Sequence, residues 1–438
     1  MKALKHIRYD LYLILLIVLT FLSFAGPLKE YLLPLFVGIG FLFILSGANV
    51  FYVLPIPFFM QMSFTDLRDN VQITTIYTTI LTILIVIDII LNRKIKRKGT
   101  LMTALLFLVL AAVLTHVNSP DLFTTFAGFM QIASILGLYF YFVNTLDTNA
   151  DNFRLVSKLL LYISVLVSIE MIYVIYESGD LVVEVLKRRD IYLGWENINV
   201  VIYANLVSLP LTAYLIHESK VKIIYMILAL LSIVGIFLTL SRSSVMTVFV
   251  YIVVLVPMMF ILSKQRLLLF IQGLLFLTLT IAVAYYLETH FSLLSQYMQA
   301  IGSRELLKLD DRIKLLQIAF EKFKEYPIVG SGGLYSSRVI LAEYGLAALN
   351  YHNTVAQAST LGILGIIGFF YLFAKKTWLI MLSKDSFKWY VLLMLFVTAF
   401  VNGTLQPMYF YSTYMVFVFL VVATIEVSIA YESPNSLT

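Results

Sequence analysis

Apolar runs of about 17–24 residues, the length a helix needs to cross a hydrocarbon core of about 30 Å, recur along the whole chain. They cover 11–27, 31–45, 50–62, 71–91, 101–117, 122–143, 155–176, 198–216, 221–240, 245–262, 267–287, 354–374, 387–401 and 408–430. Barrel strands would be about 10 residues long and alternate apolar with polar, which these runs do not. The pattern predicts an all-α polytopic transmembrane helix bundle of about 14 spans. The second and third runs are short and carry Gly38, Gly40, Pro55 and Pro57. If both are re-entrant or half-helices, the number falls to about 12. The one long polar stretch, 288–352, precedes the last three spans. In it Asp310-Asp311 is placed to cap a helix on which Ile313, Leu316, Phe320 and Phe323 recur at helical spacing. Pro327 ends that helix and Gly330-Ser331-Gly332-Gly333 makes a tight turn. The stretch therefore reads as a folded extracytoplasmic cap lying on the membrane surface.

Composition agrees. Of the 438 residues 61% are hydrophobic and 13% charged, with a mean hydropathy of +0.93, where soluble domains carry about 25% charged residues. No cysteine occurs, which excludes disulfides, thiolate metal sites and cysteine nucleophiles. The net charge of +6 is not a nucleic-acid signal, because the basic residues sit in short loops where they orient spans. Lys2, Lys5 and Arg8, the cluster Arg93-Lys94-Ile95-Lys96-Arg97-Lys98, Lys220 and Lys222, Lys264 and Arg266, and Lys375 and Lys376 all fall on one parity. That side is the cytoplasm, with both termini on it. The 177–197 loop, Arg242, the 288–352 loop and the 402–407 turn then face outward. No cleavable signal peptide is evident: the first run lacks a small-residue cleavage site and another span follows at once.

Candidate chemistry collects on the outer side. Arg242, in Leu240-Ser241-Arg242-Ser243-Ser244, breaks two apolar runs without a spacer and must sit near the interface. It either snorkels to lipid phosphates or, with Ser243 and its neighbours, binds a phosphate or diphosphate through its planar fork. Arg312 and Arg338 are phosphate-binding candidates in the outer loop. The seven basic and seven acidic residues of 288–352 cancel, so solvated ion pairs are the alternative reading; Arg304 beside Glu305 is weaker. His352, in Tyr351-His352-Asn353-Thr354, is either a boundary histidine or a group able to take a proton from a sugar hydroxyl near neutral pH. Asn353 either orients that ring or caps the next helix. His116 and His290 are also placed outside, but the histidines lack ligand spacing and no metal is expected. Gly330–Gly333 lacks the Lys-Ser/Thr of a phosphate loop and reads as a turn. Glu170 and Asp88 lie inside apolar runs, Asp88 close to Arg93.

Taken together these residues resemble the bacterial O-antigen ligase and polysaccharide polymerase family. The matching elements are Leu240-Ser241-Arg242-Ser243, Asp311-Arg312 opening a helix that runs to Tyr326-Pro327-Ile328-Val329-Gly330-Ser331-Gly332, and Tyr351-His352-Asn353 entering a span with Gly362 and Gly365. Gly194-Trp195-Glu196-Asn197-Ile198-Asn199 looks like a degenerate copy of a Gly…Asn-Pro-Asn stretch. The resemblance covers about 194–374 and divides the chain into N-terminal helices (1–193), a catalytic region (194–374) with its outer loop (288–352), and C-terminal helices with a cytoplasmic tail (375–438). It implies a metal-independent, inverting glycosyltransferase of the bacterial cytoplasmic membrane, without a cofactor, using a glycan donor linked to undecaprenyl diphosphate. Its acceptor would be a glycan or lipid-glycan, and other polysaccharide assembly proteins are expected partners. In such enzymes the arginines matching Arg242 and Arg312 hold the diphosphate and the histidine matching His352 acts at the acceptor hydroxyl. Where the family often has a glutamate, this chain has Thr360. A polymerase is the preferred expectation and a ligase the alternative. A transporter of lipid-linked glycan is the competing class, but it should show inverted repeats and midplane polar residues, whereas here polar residues collect at one face.

Overall fold

In the computed structural model the described residues are 2–26, 29–47, 49–64, 71–92, 97–146, 151–178, 191, 193–195, 198–239, 241–302, 309–346, 350–404, 406 and 410–432. Among them the regular elements are all helices. Among the described residues seven helices are long and apolar enough to cross a membrane by length and composition, and six shorter apolar helices accompany them. The fold is thus the polytopic helix bundle that the apolar runs predict. The two suspect runs are indeed short. Helix α2 (Lys29–Leu45) contains Pro34, and the next run splits into α3 (Val50–Val53) and α4 (Pro55–Met62). Pro55 lacks an N–H and cannot continue α3, but its fixed φ suits the first position of α4.

The chain forms two compact units: Met1–Ile95 with Asp151–Arg304, and Lys96–Ala150 with Glu305–Thr438. Besides α2–α4, the first holds α1 (Lys2–Ala25) and α5 (Val71–Asn92). After a return through α6 (Met102–Leu114) and α7 (Leu122–Thr145) of the second unit, it resumes with α8 (Asn152–Glu177), α9 (Ile198–Glu218), α10 (Lys222–Leu238), α11 (Arg242–Leu262), α12 (Arg266–Phe291) and α13 (Leu293–Gly302). Its core lies along α8, α9 and α10. Leu161, Val165 and Leu215 are buried there against Ile17, Tyr225 and Leu228. The three helices close most tightly at Gly235, where a Cβ would collide with Ser168 Oγ and Asn205 Nδ2. Small residues permit this approach, and Asn205 joins the seam by donating to Ser168 Oγ (3.2 Å) and the Ser232 carbonyl (3.0 Å). Lys158 is buried on α8 and pairs with Asp10 of α1 at 2.6 Å.

The second unit continues after α7 with α14 (Leu309–Glu325), α15 (Ser336–Glu343), α16 (Thr354–Ala358), α17 (Gly362–Leu382), α18 (Phe387–Phe396) and α19 (Ser412–Glu432). At one end, buried Glu426 of α19 accepts hydrogen bonds from the Thr100 N–H (2.6 Å), the Thr100 hydroxyl (2.7 Å) and the Tyr139 hydroxyl. Nearby, Asn144 Oδ1 accepts from the Arg97 N–H at 2.9 Å. At the other end the 115–125, 330–333, 350–354 and 403–406 turns are linked by hydrogen bonds. These are turns that loop parity assigns to a common side.

An expectation needs correction. Lys375 and Lys376 are not in a loop: α17 continues to Leu382, and the boundary drawn at 374–375 falls inside it. Lys375 lies over the Tyr371 and Trp378 rings (5.7 and 5.3 Å), while Lys376 is buried over the Phe419 ring (5.1 Å). Aromatic faces receive these cations, so the helix need not end at them; the loop lysine is Lys384. In α14, the stripe Ile313, Leu316 and Phe320 is exposed, and the buried face is Leu315, Ile318 and Ala319, packed on Ile340, Leu341 and Tyr351. The helix that the spacing predicts is thus present, with apolar residues on two faces, of which the one carrying Leu315 meets the protein core.

Candidate functional site

The segment 350–354 is built by its own side chains. The Asn350 Oδ1 accepts from the His352 N–H at 2.9 Å, an Asx turn that tolerates left-handed backbone. His352 has φ +51, a conformation that among described non-glycine residues only Ser292 shares. A bulky residue leaves its preferred region only where its surroundings hold it there. Asn350 Nδ2 donates to the Tyr411 hydroxyl (2.9 Å), and Gln357 Oε1 accepts from the Tyr351 N–H (3.3 Å). Asn353 adopts extended backbone and its Oδ1 accepts from the Val355 and Ala356 N–H groups at 2.9 and 3.0 Å. It is therefore the N-cap of α16. Its Nδ2 donates to the Thr404 carbonyl at 3.3 Å, so both ends of the amide are engaged by backbone. Of the two roles open to Asn353, capping is the one the geometry fills.

The imidazole of His352 is partly buried, and its Nδ1 lies 3.2 Å from Gln406 Oε1. With a carbonyl oxygen facing it, Nδ1 carries the proton and donates, which leaves Nε2 as the acceptor. Burial lowers the imidazole pKa below its usual 6.5; the positive charge of Arg312 lowers it further, and the Gln406 contact opposes both. The ring is neutral at neutral pH. Arg312 reaches this position because it lies in the first turn of α14, one turn before Leu315, which packs on Tyr351. α14 opens at Leu309, so Asp310 and Asp311 lie inside the helix and not before it, which corrects the cap expected of them. It ends at Glu325, before Pro327.

The positive charge of Arg312 is thus felt at the His352 ring, and Leu315 of the same helix packs in one cluster with Tyr351. Arg338 is exposed on α15, and no described contact joins it to His352 or Arg312. Arg242 opens α11 in the first unit, and its side chain lies outside what the structure describes. Beside it, Ser241 Oγ lies 3.2 Å from Ser243 Oγ and 3.0 Å from Ser244 Oγ, with Ser243 and Ser244 buried. Arg304, Glu196 and Asn197 fall outside the described residues. Trp195 of the 194–199 stretch donates its indole N–H to Glu170 Oε2 at 2.9 Å, which gives that buried carboxyl a partner within the bundle. Buried Asp88 accepts from Asn92 Nδ2 at 3.0 Å, while its expected neighbour Arg93 lies outside the described residues. His116 bonds its own helix, and His290 stacks on Tyr286.

The glycine turn is a girder, not a cradle. Its amides are already used: the Ser331 and Gly333 N–H groups donate to the Thr360 carbonyl (2.9 and 3.2 Å), and the Gly332 N–H to Thr115 Oγ1 (2.9 Å). Thr360, where the family often has glutamate, is buried, and its hydroxyl donates to the Gln357 carbonyl (2.7 Å). Gly330 and Gly362 have φ of +77 and +70 and lie back to back; a Cβ on either would strike the other's backbone. Gly362→Ala is expected to destabilise the second unit by about 2–4 kcal/mol, overpacking adding to the cost of left-handed alanine. Thermal unfolding in detergent checks this, and an unchanged Tm would show the crossing to be loose.

Sequence reading misses three site residues: Gln406, Asn350 and Tyr411. Asn350 carried a signal, an asparagine two residues before the histidine. Gln406 and Tyr411 arrive from a later turn and carried none.

A multi-pass membrane helix bundle with a neutral histidine within the electrostatic reach of an arginine at one end of its second unit is the class that fold and site define. Residues 227–373 match the family model described as O-antigen ligase. The match spans Arg242, Arg312 and His352 and bears out the family resemblance over that segment. No curated protein matches the chain.

Proposed function

We propose that this protein is a glycosyltransferase that moves an oligo- or polysaccharide from undecaprenyl diphosphate to a sugar hydroxyl at the outer face of the bacterial cytoplasmic membrane. The observation that carries the reading is the neutral His352 imidazole, whose Nε2 has no partner among the described residues, within the electrostatic reach of Arg312 in the segment matched to O-antigen ligase. The acceptor oxygen attacks the anomeric carbon as its proton passes to Nε2. The bond to the diphosphate oxygen breaks with inversion, and the electron pair leaves on the diphosphate. Arg312 offsets that charge, and Arg242 has the diphosphate-holding role that the resemblance implies. The activated diphosphate supplies the driving force, so the step needs no nucleotide and, as the resemblance implies, no metal. Joining of repeat units by a polymerase is the preferred form. The description of the matched family favours the second reading, a ligase that delivers the glycan to a lipid core or other final acceptor.

Purified protein in liposomes, supplied with undecaprenyl-diphosphate-linked glycan, is expected to release the lipid diphosphate and form a new glycosidic bond. Longer glycan from donor alone identifies a polymerase; product only with a separate acceptor identifies a ligase. Movement of donor across the bilayer without product would overturn the reading in favour of a transporter.

A further inference from the structure

The turn that follows α18 lies beyond the matched segment, yet its residues meet the 350–354 segment at four points. A π-helical stretch, Val397–Asn402, leads into it, and such irregular turns are frequent at functional sites. The Gly403 carbonyl accepts from the Thr354 N–H (2.8 Å), the Thr404 carbonyl from Asn353 Nδ2 (3.3 Å), and the Gln406 carbonyl from the Thr354 hydroxyl (3.2 Å). The Gln406 N–H is itself tied to the Asn402 carbonyl (2.9 Å). The fourth contact is that of Gln406 Oε1 with His352 Nδ1 at 3.2 Å. Backbone bonds on both turns therefore fix where the amide and the ring stand.

We infer that Gln406 is a positioning residue: its carbonyl oxygen holds the Nδ1–H of His352 and fixes the tautomer that presents Nε2 to the acceptor hydroxyl. The inference rests on reading His352 as the proton acceptor. A ring nitrogen's state is set by the hydrogen bond that the other nitrogen makes, and an uncharged acceptor leaves the imidazole neutral where a carboxylate would hold a proton on it. Among the described residues the other charged group that acts on the ring is Arg312 from α14, whose charge opposes protonation; Tyr351 precedes it in the chain, and Tyr411 reaches the segment through Asn350. The site is thus completed by a turn outside residues 227–373.

The test uses the full-length protein with Gln406→Leu and Gln406→Glu. Glycan transfer is followed against pH, and the titration of His352 is followed separately by the pH dependence of its modification by diethyl pyrocarbonate, located by peptide mass spectrometry. Gln406→Leu is expected to lower transfer by about 10–100-fold, by analogy with the loss of a hydrogen-bond partner that orients a metal-ligating histidine. Gln406→Glu keeps an acceptor at Nδ1. It is expected to recover transfer above the raised pKa and to move both the His352 titration and the acid limb of transfer upward by about 1–3 pH units. A His352 titration unmoved in Gln406→Glu overturns the inference, as does wild-type transfer in Gln406→Leu. Failure of the base reading looks different: His352→Ala would then transfer at the wild-type rate while the titration in Gln406→Glu still shifts.

Discussion

His352→Ala is expected to lower glycan transfer by about 10²–10⁴-fold, the contribution of a positioned general base, while binding of the lipid-linked donor changes little. The separation follows from geometry. Nδ1 faces Gln406, the backbone is pinned through Asn350, and Nε2 is left for an incoming hydroxyl. Nothing in that arrangement ties the ring to the donor. The pH profile adds a second expectation. The base works neutral, and burial together with Arg312 depresses its pKa below 6.5. Transfer should therefore persist as pH falls through 6.5 and decline only through the lower folded value. Stability follows the same linkage: the unfolded histidine binds its proton first, so the neutral ring's contribution is full above about 6.5 and falls away below it. Transfer and donor binding measured in parallel across pH decide the matter. Wild-type turnover in His352→Ala would remove the base assignment, and an acid limb above 6.5 would contradict the burial of the ring.

What was legible in the sequence follows from which forces act locally. Span-length apolar runs announce themselves because a bilayer demands length and low charge, and Pro55 marks the break between α3 and α4 because its chemistry is its own. Asn353 before an apolar run signalled a cap, and the glycine run a turn, since both are backbone effects. Lys376 misled because charge was equated with a loop, whereas aromatic rings of neighbouring helices receive it. The helix of α14 was legible from its apolar spacing, but periodicity does not report which of its two apolar faces the rest of the chain covers. Gln406 was out of reach altogether. Its meaning depends on a contact 54 residues away in sequence, and a glutamine in a turn has no pattern that distinguishes a ring's partner from a solvated side chain.

Arg312→Ala and Arg242→Ala are each expected to lower transfer by about 10²–10³-fold, the loss that follows removal of one preorganised donor from a site of developing negative charge. Both should also weaken donor binding, because a guanidinium that offsets charge on the departing diphosphate already meets the diphosphate of the bound donor. Lysine in either position should restore only part of the loss, since an ammonium ion is a point charge and cannot give two parallel bonds to one phosphate. Arg312 allows a sharper test, as its charge also depresses the His352 pKa. In Arg312→Ala the acid limb of the residual activity should move up toward the ordinary histidine value, whereas in Arg312→Lys the charge remains and the limb should stay low while the rate is still reduced. Rate therefore reports the fork and the limb reports the charge, within one pair of variants. Full transfer in Arg312→Ala would reduce that residue to a surface cation beside the histidine, and full transfer in Arg242→Ala would make it an interfacial anchor for lipid phosphates. An acid limb unmoved in Arg312→Ala would separate the two side chains electrostatically, leaving the diphosphate clamp to stand on binding alone.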